Sequence, residues 1–104
     1  MTNCLIVDDD DIIRMEVEQM VKRTSFLNVV GAVSNALDAL SFISTGKADI
    51  VFLDVIMPGV SGLQLIECLN TYKPEIIIMT AEKKYAVDAF NYNVTDFLSK
   101  PISE

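Results

Sequence analysis

Asp8 and Asp9 stand directly after one short apolar run, Asp54 lies near the end of a second, Thr80 closes a third, and Lys100 follows a fourth. Three carboxylates, a hydroxyl and an ammonium suit cation binding and phosphoryl chemistry. If the carboxylates converge they repel: a like-charge pair at ~4 Å costs ~4 kcal/mol at an effective dielectric of 20. One lysine does not neutralise three negative charges. A hard divalent cation offsets most of that charge, and Mg²⁺ accepts a few carboxylates while keeping waters and phosphate oxygens in its shell. A carboxylate beside such an ion can act as nucleophile and form an acyl phosphate. Thr80 and Lys100 are suited to hydrogen-bond and charge-pair with phosphoryl oxygens. Each residue also has a plain reading. Asp8–Asp11 fits a solvated helix start, Asp54 a turn, Thr80 an ordinary strand position and Lys100 an exposed strand end. Those readings leave the joint placement at the ends of four strands unexplained.

The apolar pattern shows what must hold these residues. Cys4–Val7 is a short run rich in β-formers. Ile13, Val17, Met20 and Val21 then recur at helical spacing, which predicts a first helix over roughly residues 10–25. Val29–Val33 reads as a second strand. Asn35 with Asp38 marks a helix start, Ala36, Leu40 and Ile43 form its buried face, and Gly46 closes it. Ile50–Val55 is a continuous apolar run, expected of a strand covered on both faces. Met57–Gly62 is a turn-rich loop. Ser61 and Gln64 offer a capping box for a third helix carrying Leu63, Ile66 and Leu69. After Pro74, Ile76–Met79 predicts a fourth strand. Tyr85, Ala86, Ala89 and Phe90 suggest a fourth helix, and Phe97–Leu98 a short fifth strand. This alternation predicts an α/β fold, a doubly wound parallel sheet with right-handed crossovers. Ligands bind such sheets at the carboxyl ends of the strands, which is where the acidic residues, Thr80 and Lys100 fall.

Composition narrows the field. A chain of 104 residues is one domain in size, and 51% apolar content argues against disorder. No apolar run approaches the roughly 18 residues needed to span a bilayer, so no membrane partner and a cytoplasmic location are expected. A formal charge of −7 disfavours direct nucleic-acid binding. Histidine is absent, which excludes imidazole triads and Cys/His zinc sites. Cys4 and Cys68 are expected to be packed, reduced thiols.

Leu5-Ile6-Val7-Asp8-Asp9, Leu53-Asp54-Val55-Ile56-Met57-Pro58-Gly59 with Ser61-Gly62, Met79-Thr80-Ala81 and Phe97-Leu98-Ser99-Lys100-Pro101 together resemble the receiver domains of bacterial two-component response regulators. The likeness runs along essentially the whole chain in the right order. It implies five strands in the flavodoxin-like order 2-1-3-4-5. It implies a signalling switch rather than an enzyme, with Asp54 as phosphoacceptor and a sensor histidine kinase or phosphotransfer protein as donor. Asp9, Asp54 and the backbone carbonyl of Ile56 would ligate Mg²⁺ directly, and Asp8 would act through water. Thr80 and Lys100 would hold the phosphoryl group, and Phe97 would be the aromatic switch residue that follows Thr80. Lys100–Pro101 matches the family's cis peptide, and Ile56 and Glu82 sit where the family tunes dephosphorylation. An output domain or downstream protein, and a homodimer formed on phosphorylation, complete the implied partners. The stretch Tyr85–Phe90 resembles receivers attached to LytTR-type DNA-binding domains, which implies transcription regulation.

The chain departs from the family pattern at its end. Residues 1–104 are expected to be a receiver domain truncated before its fifth helix, which would leave apolar surface near strands 1 and 5 bare. Two other classes compete. Asp8-Asp9-Asp10 contains the Asp-x-Asp of haloacid-dehalogenase-like phosphatases, although that fold is longer and its late acidic pair is missing here. An interaction module that never turns over phosphate would show no Mg²⁺ dependence.

Overall fold

Valine, isoleucine and leucine crowd the short runs of this chain, and short β-branched runs between helical periods favour buried parallel strands. The computed structural model describes residues 2–54, 74–80 and 96–99, with Thr80 and residues 96–99 described by their backbone. In chain order the described elements are β1 (Thr2–Val7), α1 (Asp11–Lys22), β2 (Leu27–Val33), α2 (Ala36–Ile43), β3 (Ile50–Asp54), β4 (Glu75–Thr80) and β5 (Asp96–Ser99). The strands form one five-stranded sheet in the order β2-β1-β3-β4-β5. Every pairing is parallel. The expected fold class and strand order are therefore observed. The expected third and fourth helices, the Met57–Gly62 loop, Cys68, Glu82 and Lys100–Pro101 lie outside the described residues, as does the question of a fifth helix.

Side-chain alternation divides the core into two layers. Leu5, Val7, Val51, Leu53, Ile76 and Ile78 turn to one face and pack with Ala36, Ala39 and Ile43 of α2. Cys4, Ile6, Phe52 and Met79 turn to the other and pack with Val17 and Val21 of α1. The two crossovers thus place their helices on opposite faces of the sheet, the doubly wound arrangement. β1 lies inside the sheet between β2 and β3, and Leu5, Ile6 and Val7 are fully buried. Burying one such side chain contributes about 1.5–3 kcal/mol, so the central strands anchor the fold.

α1 begins at Asp11, close to the expected residue 10, but ends at Lys22, short of the expected 25, while Asn35 and Gly46 bound α2 as expected. The Asp10 carboxylate accepts hydrogen bonds from the N–H groups of Ile12 and Ile13 at 2.9 and 3.2 Å, capping α1. Asn35 caps α2 by accepting from the Asp38 N–H at 2.8 Å. Gly46, with φ of 75°, turns the chain after α2 in a conformation that glycine adopts without penalty. β2 starts two residues earlier than the apolar pattern predicts. Its extra residue Asn28 is exposed on the sheet edge, where a polar side chain is tolerated and the ladder to Asn3 still forms.

Candidate functional site

Strand parity decides where the acidic residues go. Asp54 is the last residue of β3 and shares the face of Phe52, the α1 side of the sheet. Asp8 follows β1 in the same phase as Cys4 and Ile6, and its N–H extends the ladder by donating to the Val33 carbonyl at 3.1 Å. β1 and β3 are neighbours, with Val7 opposite Leu53. Residues 46 positions apart in sequence are thereby brought to one edge of the sheet.

One carboxylate oxygen each from Asp8, Asp9 and Asp54 lies within 4.8 Å of the others. Asp8 is fully buried, Asp54 is 5% exposed, and Asp9 is exposed at the rim. At that separation each pair repels by roughly 3–4 kcal/mol at an effective dielectric of 20, less for pairs involving the hydrated Asp9. The donor set is all carboxylate oxygen. It suits a hard divalent cation and does not suit the thiolate- and imidazole-seeking metals. The cluster fits a metal ion: Asp8 and Asp54 are buried, and exposed Asp9 leaves one side open toward solvent.

The turn that carries Asp8 and Asp9 is tightly tied. The Asp10 N–H donates to the Asp8 carboxylate at 2.9 Å. The Arg14 guanidinium donates to the Asp8 backbone carbonyl at 2.8 Å and also pairs with the Asp11 carboxylate. The sequence pattern gives Arg14 no role, because a single arginine in a helix has no periodic signature. Its spacing from Asp11, three residues, is the signal that relates the two.

Of the other expected site residues, Thr80 is the last residue of β4 and pairs with Ser99 of β5. Its backbone lies at the same strand-end edge as Asp54, which is opposite Met79. Phe97 lies within β5, opposite Ile78. Ile56 and Lys100 lie outside the described residues. No helix among the described residues is long and apolar enough to cross a membrane.

Comparison with known proteins gives one consistent result. Residues 4–104 match the family model of the response regulator receiver domain. The chain is 40% identical over 103 residues to an uncharacterized response regulatory protein of Shewanella oneidensis, covering 98% of this chain and 44% of that protein. It is 35% identical over 105 residues to the transcriptional regulatory protein BtsR of Escherichia coli, covering all of this chain and 44% of that one. The chain therefore spans under half the length of these relatives. Among solved structures, the response regulatory domain of mrkE from Klebsiella pneumoniae superposes with a TM-score of 0.88 at 31% identity, over 98% of this chain and 85% of that one. The REC domain of AraT, a response regulator from Geobacillus stearothermophilus, gives 0.87 at 28% identity, over 98% and 83%.

Proposed function

The chain belongs to the response regulator receiver family, and we propose that residues 1–104 form a phosphoacceptor domain whose nucleophile is Asp54. The observation that carries this reading is the convergence of Asp8, Asp9 and Asp54 at one sheet edge, within 4.8 Å of one another. The family is a signalling domain rather than a classical enzyme, and self-phosphorylation and autodephosphorylation are the only chemistry proposed for it here.

An Asp54 carboxylate oxygen attacks the phosphorus of a phosphohistidine on a sensor kinase or phosphotransfer protein. The new O–P bond forms as the P–N bond breaks, and the electron pair leaves with the imidazole. Mg²⁺, when bound, would offset part of the charge of the carboxylates and of the incoming phosphoryl group. Asp9, Asp54 and the Ile56 carbonyl are its proposed direct ligands, with Asp8 acting through water. Near-complete burial of Asp54 limits the water that competes with the phosphodonor. The Thr80 hydroxyl and Lys100 ammonium hold the transferred group, which brings about −1.5 to −2 charges. Phe97 follows Thr80 as the switch. Moving an inactive:active ratio from 1:99 to 99:1 takes ~5.5 kcal/mol of differential stabilisation, and new contacts to the phosphoryl oxygens are its proposed source.

The proposed setting is the cytoplasm, and the proposed output is transcription regulation. It acts through an output domain or downstream protein, or through a homodimer formed on phosphorylation. Support comes from the similarity to BtsR, a transcriptional regulatory protein. The test is intact-mass measurement after incubation with acetyl phosphate and Mg²⁺. The chain should gain the mass of one phosphoryl group, Asp54→Asn should gain none, and chelation should abolish the gain. Phosphoryl label on Asp8 instead would make the chain a phosphatase-like aspartyl enzyme and overturn the proposal.

A further inference from the structure

Arg14 is drawn back from solvent at the edge of the acidic cluster. It sits in the first turn of α1, where helical side chains lean toward the N-terminus, and its side chain is only 20% exposed. Its guanidinium has two acceptors of different kinds, the Asp8 backbone carbonyl at 2.8 Å and the Asp11 carboxylate, itself 80% exposed. We infer that Arg14 is a positioning residue for the metal site, holding the peptide plane between Asp8 and Asp9 so that both carboxylates keep their spacing. The inference rests on the reading of the cluster as a Mg²⁺ site.

Peptide geometry links Arg14 to both aspartates. The Asp8 carbonyl oxygen belongs to the rigid planar unit that joins the Cα atoms of Asp8 and Asp9. Holding that oxygen sets the direction in which the chain leaves Asp8, and hence where Asp9 begins. The units on either side are also fixed. The Asp8 N–H donates to Val33, the Asp10 N–H donates to the Asp8 carboxylate, and Asp10 in turn caps α1. The Arg14 N–H donates to the Asp10 carbonyl at 3.0 Å, so the backbone of the same residue closes the loop. Arginine suits this place because its planar fork reaches two acceptors at once in a set orientation. Lysine offers one mobile point charge.

Charge and positioning predict opposite signs, which makes the role separable. A cation near a metal site repels the metal, so removing it by charge alone tightens Mg²⁺ binding. Removing a partner that orients the ligands weakens metal affinity, typically 10–100-fold.

The experiment is calorimetric titration of the full chain with Mg²⁺ alone, for wild type, Arg14→Gln and Arg14→Lys, with the melting temperature of each metal-free protein measured alongside. Arg14→Gln should weaken Mg²⁺ binding by about tenfold. Arg14→Lys should fall between it and wild type, and both losses should exceed what the metal-free melting temperatures account for. Equal or tighter binding by Arg14→Gln, with wild type binding normally, overturns the assignment of Arg14 and leaves the metal site standing. If Arg14→Gln fails to fold, Arg14→Lys decides alone, and affinity equal to wild type overturns the inference. A wild-type chain that takes up no Mg²⁺ overturns the metal reading and this inference together.

Discussion

Cys4 shows how a residue far from the acidic edge reports on the core. Its side chain is fully buried in the α1 layer. Burial pushes the thiol above its ordinary value of 9.0, the Asn28 backbone pulls it down, and the negative charge of Asp49 pushes it up again. The net direction is upward, so the folded chain keeps the proton to higher pH than the unfolded chain. The stability this confers is complete below the ordinary thiol range and is lost as pH rises through the folded value. Between pH 8 and pH 10 the urea midpoint of the wild type should therefore fall further than that of Cys4→Ala. Parallel declines in the two proteins would show that Cys4 is not the source. At this scale the sequence was informative about carboxylates and silent about Arg14. Aspartates at strand ends declare themselves by interrupting apolar runs, whereas a guanidinium that bonds a backbone carbonyl leaves no pattern.

At the level of elements, Gly31 of β2 lies close against Phe42 of α2 and Leu5 of β1. A methyl group placed there would lie 3.1 Å from Phe42 Cε2 and 3.2 Å from Leu5 Cδ1. Leu5 is a fully buried residue of β1, and Phe42 is packed against the same layer. A branched side chain at this position forces both to shift. Gly31→Val should therefore lower stability by about 1–3 kcal/mol, read as a lower urea midpoint with little change in its slope. Undiminished stability would show that Phe42 yields freely. Strands and helix starts were legible because each carries its own chemistry. Asp10 and Asn35 are caps with helical spacing behind them, and β3 is a continuous apolar run ending in Asp54. The first residues of β2 were not legible, since Asn28 is polar and its strand conformation comes from pairing with β1 rather than from its own preference. The 2-1-3-4-5 order came from family resemblance, because periodicity indicates that strands are parallel without saying which are neighbours.

For the whole molecule, an acidic cluster built from the ends of β1 and β3 would couple the proposed metal binding to folding. An unfolded chain separates Asp8 and Asp9 from Asp54, so Mg²⁺ at the proposed site would favour the native state and stabilise it by mass action. At an ion concentration ten times the dissociation constant the gain is about 1.4 kcal/mol, several degrees in melting temperature for a domain of this size. Thermal unfolding with and without Mg²⁺ should show that rise in the wild type and a much smaller one in Asp54→Asn. Equal rises in the two proteins would mean that the ion acts elsewhere.

The interior place of β1 also bears on how the chain comes off the ribosome. β1 is made before β2 and β3, and it takes its second neighbour only when Ile50–Asp54 has been synthesised and Cys4 can meet Ile50. Parallel ladders of this kind close distant segments late and slowly. Asp54, as the final residue of β3, meets Asp8 and Asp9 only through that pairing. The nascent polypeptide thus holds Asp54 away from the two aspartates that repel it until the residues that make the offsetting apolar contacts have also been synthesised.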